Sequence, residues 1–146
     1  MSILTQSTIA NKVSFSGVGV HTGNKVNINI LPSAPNSGII FKRIDLKHNN
    51  IVVPNFENVS EATLCTTISN DFGVKVSTIE HLMAAFLGLG IDNAVVEIDS
   101  QEIPILDGSA KDFVKILRST GLKSSDVPIK LIKINNNVEV EEGNKF

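Results

Sequence analysis

Val26, Ile28 and Ile30 alternate with Lys25, Asn27 and Asn29. That period of two predicts a strand with one buried face. Thr8 to Ser16 reads as a strand before it, and Gly17-Val-Gly-Val-His-Thr-Gly23 as the turn that makes the two a hairpin. Gly38 to Ile44, after a loop containing Pro32 and Pro35, is strand-like, and Thr63 to Ser69 and Val74 to Val76 flank a turn at Asn70-Asp-Phe-Gly73. From Ser77 the period lengthens: Ile79, Leu82, Met83 and Phe86 fall at helical spacing, and Gly88 and Gly90 supply the stop. Asn93 to Asp99 reads as a strand too apolar for an exposed edge, followed by a loop over Ser100 to Gly108. A second helix is predicted from Ser109 to Thr120, with Phe113, Ile116 and Leu117 inward and Gly121 at the position after its end. Ile129 to Ile134 and Val138 to Val140 predict a last hairpin across Asn135-Asn-Asn137. Strands first, then helix, strand and helix predict an α+β two-layer sandwich: a mainly antiparallel sheet with two helices packed on one face.

Composition narrows the partners. The 146 residues, 42% of them hydrophobic, suffice for one core and fall short of two ordinary domains. The 13 basic and 15 acidic side chains are interspersed and leave a formal charge of −2, so there is no electrostatic footprint for nucleic acid. The aromatic residues are all Phe, which removes the Tyr and Trp platforms of single-strand binders. Met1 to Ser7 lacks the basic start and apolar run of a secretory signal, which places the protein in the cytoplasm. Leu82 to Ile91, the longest nearly uncharged apolar stretch, is well short of the roughly 20 residues a membrane span needs. A single cysteine, Cys65, can form neither an internal disulfide nor a multi-cysteine zinc site. The chain stops at Glu141-Glu-Gly-Asn-Lys-Phe146, just after a strand with few partners, and this reads as a truncated end.

Candidate chemistry is sparse. Gly17, Gly19 and Gly23 precede the alternating strand and not a helix, so they form a tight turn in place of a phosphate cradle. His21 sits in that turn with no second ligand nearby in sequence. Glu80-His81 opens the first helix, and the metalloprotease pattern H-E-x-x-H is absent because Ala85 stands four residues after His81. Two readings of the pair stand. Ser77 and Glu80 have the spacing of a capping box. Alternatively, the helix dipole keeps His81 neutral, as a metal ligand must be, and Glu80 is a base. A catalytic zinc takes about three protein ligands, whereas His21, His48 and Cys65 are widely scattered. Ser109 with Asp112 resembles another N-cap. Cys65, inside an apolar strand, reads as a structural thiol.

Six segments carry a resemblance: Gly17-Val-Gly-Val-His-Thr-Gly23, Gly38-Ile-Ile-Phe-Lys-Arg-Ile-Asp45, Thr63-Leu-Cys-Thr-Thr67, Ser77-Thr-Ile-Glu-His-Leu82, Gly90-Ile-Asp-Asn93 and Glu102-Ile-Pro-Ile-Leu-Asp-Gly-Ser-Ala110. In this order they resemble the UDP-3-O-acyl-N-acetylglucosamine deacetylases, over nearly the whole chain. The resemblance implies a zinc hydrolase of lipid A (lipopolysaccharide) synthesis built from two α+β sandwich domains, with Zn2+ and substrate between them. It implies that residues 1–126 are the first domain and that 127–146 are the first strands of a truncated second. His81 matches the family's zinc-binding histidine and Glu80 its general base. Leu64 and Cys65 match a stretch lining the substrate passage, and His21 a loop near the site. The remaining ligands, an H-K-x-x-D pattern, and a positioning lysine and a histidine acid belong to the second domain. None is here: His48 is followed by Asn49, and no histidine follows His81. The chain alone is thus expected to be inactive, with the missing C-terminal domain as its partner. The alternatives are a free-standing sugar-nucleotide-binding or inactive paralogous module, or a deacetylase fused to a hydroxyacyl-thioester dehydratase.

Overall fold

A computed structural model describes residues 4–140. The expectations that fall on Met1 to Ile3 and on Glu141 to Phe146 lie outside these residues. Ten strands and two helices follow one another: β1 (Thr5–Ile9), β2 (Val13–Val18), β3 (Lys25–Pro32), β4 (Ile39–Arg43), β5 (Ile51–Val52), β6 (Val59–Glu61), β7 (Thr67–Ser69), β8 (Lys75–Val76), α1 (Glu80–Leu89), β9 (Ala94–Ile98), α2 (Lys111–Ser119) and β10 (Leu122–Pro128).

The main sheet runs β2-β3-β9-β4-β5. It is antiparallel except where β4 lies parallel to β9. Register explains its two faces, since alternate residues of a strand point to opposite sides. Val13, Ile30, Val96, Phe41 and Val52 stand opposite one another in a single row across all five strands. Phe15, Ile28 and Ile98 make a neighbouring row on the same face. These rows share one buried core with Leu82, Ala85 and Phe86 of α1 and Phe113 and Leu117 of α2. Phe15 meets Phe113 edge to face, ring centroids 5.9 Å apart, so the helices cover one face, as the sequence predicts. The other face is mixed, with a half-buried apolar row of Leu31, Val95 and Ile40 beside a polar one. Ser14 donates to Asn29, Asn27 donates to Asp99, and Lys42 pairs with Glu97 at 3.1 Å. The expected apolar strand is β9, at the sheet centre, and both helices end as predicted, at Gly90 and Gly121 with φ of +67° and +75°.

Three expectations change. The strand expected over Thr8 to Ser16 is two strands in different sheets: β1 pairs with β10, and β2 with β3. The break falls at Ala10 and Asn11, whose backbone and side-chain nitrogens donate to the carbonyls of Gly121 and Thr120 behind α2. The strand expected over Thr63 to Ser69 shortens to β7, which lies between β6 and β8 in a small sheet. The hairpin expected over 129–140 does not form. Beyond β10, Leu131, Ile132, Ile134, Val138 and Val140 are exposed, because a strand pattern needs a neighbouring strand and the described residues provide none there. β10 runs from Leu122 to Pro128, across the position where a second domain is expected to begin.

Candidate functional site: a carboxylate and an imidazole at a helix start

α1 begins without the cap that its sequence advertises. Ile79 precedes its first residue and gives no side-chain bond to the helix. The Ser77 hydroxyl donates instead to the Gln101 carbonyl at 3.2 Å, beside the Ser77 amide at 2.8 Å. The capping-box reading of Glu80 is therefore wrong. Its Oε2 accepts from the Thr66 amide at 3.0 Å, in a different segment of the chain. Glu80 and His81 are both half-buried, side by side on the first turn.

The Thr66 bond also ties down the segment before it. Leu64 adopts a left-handed backbone, φ +65°, uncommon for a side chain of its bulk, and is 89% exposed. Cys65 lies in this bend and not in a strand, half-buried, with Sγ 3.7 Å from the Thr67 hydroxyl. Leu64 and Cys65 thus stand two residues and one residue from the amide that holds Glu80.

A second tie comes from a residue that sequence reasoning missed. Glu102 is fully buried and accepts four hydrogen bonds. Its Oε1 receives the His21 amide at 2.9 Å and the Thr78 hydroxyl at 3.1 Å. Its Oε2 receives the Thr22 amide at 2.8 Å and the Thr22 hydroxyl at 2.6 Å. Burial pushes the Glu102 carboxyl up, but the bonds from Thr22, His21 and Thr78 outweigh it and hold the group below the ordinary carboxylate value. Gly19 permits the approach: a Cβ there would overlap the Glu102 carboxylate. Thr78, two residues before Glu80, is also left-handed, φ +58°, a strained state for a β-branched residue that surrounding contacts must hold.

The structure thus joins Leu64 and Cys65 to Glu80 through Thr66, and the His21 turn to the entry of α1 through Glu102. His48 lies exposed in the loop between β4 and β5. The Ser109 reading holds in altered form: its hydroxyl accepts from the Lys111 amide at 3.1 Å and donates to Asp107 at 2.9 Å, without Asp112. Sequence offered one hint of Glu102, an acid immediately before the apolar run Ile103-Pro-Ile-Leu106. Nothing local marks the Thr66 amide.

No three of the His, Cys, Asp and Glu side chains among the described residues cluster so as to hold a metal. His81 can give a zinc ion one imidazole, with Glu80 beside it. That donor set fits one corner of a zinc site and not a complete one.

Fold and site together define an α+β domain that presents an adjacent carboxylate and imidazole from the first turn of a helix, a pairing suited to a proton acceptor beside a metal ligand. The chain belongs to the UDP-3-O-acyl N-acetylglycosamine deacetylase family, whose model matches residues 6–146. It is 49% identical over 144 residues to a UDP-3-O-acyl-N-acetylglucosamine deacetylase of Shewanella baltica, covering 99% of this chain and 47% of the relative. Its identity to the proteins so named from Shewanella denitrificans and Shewanella oneidensis is 49% and 47%, with the same coverage. The chain spans about half the length of the curated relatives it matches.

Proposed function

We propose that this chain is the N-terminal half of a cytoplasmic zinc-dependent deacetylase that hydrolyses the N-acetyl amide of UDP-3-O-acyl-N-acetylglucosamine in lipid A synthesis. The observation that carries the reading is the release of Glu80 from its cap and its fixing by the Thr66 amide, next to His81. His81 is one ligand of the zinc, and the C-terminal half supplies the others. Residues 127–146 lead into that half, and the exposed apolar side chains between Leu131 and Val140 support its presence.

Zinc, when bound, supplies the Lewis acidity that polarises the acetyl carbonyl and makes water easier to deprotonate. Glu80, held through Oε2, accepts a proton from the attacking water on Oε1. The water oxygen bonds to the carbonyl carbon, the C–N bond breaks, and a proton reaches the leaving nitrogen. Acetate and a free 2-amine result. Leu64 and Cys65 line the substrate passage, and His21 lies in a loop near the site. The test is acetate release by the complete protein carrying Glu80→Gln, with zinc content measured alongside. Loss of turnover with zinc retained is expected; normal turnover removes Glu80 from this role.

A further inference from the structure

Glu102 has no part in the reaction just described, yet it is a buried carboxylate with every visible bond directed at the two segments that carry His21 and Glu80. Its partners lie 81, 80 and 24 residues away in sequence. Oε1 is shared between the His21 amide and the Thr78 hydroxyl, so one atom spans from the turn to the α1 entry. The Glu102 backbone is itself fixed there: Ser77 bridges to Glu102, and the Ile103 amide donates to the Ser77 carbonyl at 3.0 Å. Val20 and His21, at the tip of the turn, are exposed. The turn's own closure consists of Gly19 to Asn24 and Gly23 to Gly19 backbone bonds, both 3.0 Å, which fix its shape and not its distance from α1.

We propose that Glu102 is a positioning residue that couples the His21 turn to the start of α1, so that His21 and the Glu80–His81 pair keep one spacing. The proposal rests on the deacetylase reading for its readout of activity. A carboxylate is required because both of its oxygens face donors. Glutamine would set an NH2 group against a backbone N–H that cannot rotate away, leaving one donor unsatisfied.

The test uses the complete protein, with kcat, KM, zinc content and amide hydrogen exchange measured well below the unfolding temperature. Glu102→Gln should retain zinc and lose kcat/KM on the order of 100-fold, the cost of a misplacement of about 1 Å. It should add little further loss to His21→Ala, since both changes break one coupled unit. Thr78→Val keeps the side-chain shape and cuts only the link between Glu102 and α1. It serves as the second variant should Glu102→Gln fail to fold, with an expected loss on the order of fivefold. The His21 and Thr22 amides should be slow to exchange in the wild type, and Thr78→Val should speed His21 exchange locally while leaving that of the core unchanged. Unaltered kcat/KM in both variants, full additivity with His21→Ala, or His21 exchange unmoved by Thr78→Val would each overturn the coupling. If the wild type releases no acetate, the deacetylase reading falls, and the exchange measurement alone decides the proposal.

Discussion

The two helices begin from nearly the same words. Ser77 stands three residues before Glu80, and Ser109 three before Asp112; both pairs have cap spacing. At α2 the residue just before the helix, Ala110, gives no side-chain bond either, but the serine stays local, its hydroxyl taking the Lys111 amide while Asp107 steadies it. At α1 the serine faces Gln101 and the glutamate reaches to Thr66. The α1 start gives up local hydrogen bonding and tolerates a left-handed threonine, and a carboxylate next to an imidazole is what it gains. Departure from a local rule with such a by-product marks a functional site more sharply than the sequence signal itself.

The contrast can be broken in several ways, the largest first. In the complete protein, Glu80→Gln should lower kcat on the order of 10²- to 10⁴-fold, the usual contribution of a general base, while Asp112→Asn leaves it unchanged. Equal effects would erase the distinction between the two starts. His81→Ala should reduce bound zinc, measured by elemental analysis after dialysis, and His48→Ala should not.

Acid should separate the two starts next. Glu102, behind α1, and Asp107, before α2, are both held below their ordinary values of 4.5 and 3.8: Glu102 by its donors against burial, Asp107 chiefly by the Ser109 hydroxyl. A depressed carboxyl stabilises the fold fully above its unfolded value, and that contribution disappears as pH falls through the folded one. Melting curves between pH 7 and pH 3 should therefore show Glu102→Gln flattening the acid limb more than Asp107→Asn, since Asp107 is exposed and screened. Smallest is the cap itself. Ser109→Ala should cost about 1 kcal/mol of stability in urea unfolding, and Ser77→Ala only about 0.5 kcal/mol, the low end for a single hydrogen bond.

Regular elements with one clear partner were legible. The alternation at Val26 to Ile30 needs only a sheet with one wet face, and the Ile79 to Phe86 spacing only a helix against it. Glu80 and His81 could be singled out, but spacing alone favoured a cap, because the competing Thr66 amide comes from another strand region. Glu102 was illegible for the same reason: its burial is created by donors far off in the chain. The break after Ile9 is not marked locally, because Thr8, Ile9, Val13 and Phe15 put strand-forming residues on both sides of it, and only the carbonyls at the end of α2 decide where the chain bends. The Ile129 to Val140 pattern shows the converse, strand-like residues that have no strand beside them among the described residues.

The pairing of β1 with β10 has a temporal consequence. Gln6 donates to the Pro128 carbonyl across 122 residues of chain, and Ser7 lies opposite Ser124. On a ribosome, β1 is made well before β10 and must wait for every element between them before its partner emerges. Until then its edge is open to any other strand, and closing so long a loop is entropically slow. Protection of the β1 amides in pulsed exchange during refolding should therefore lag behind that of β3 and β9, making this clasp the step at which a nascent chain is most open to chaperones or to mispairing.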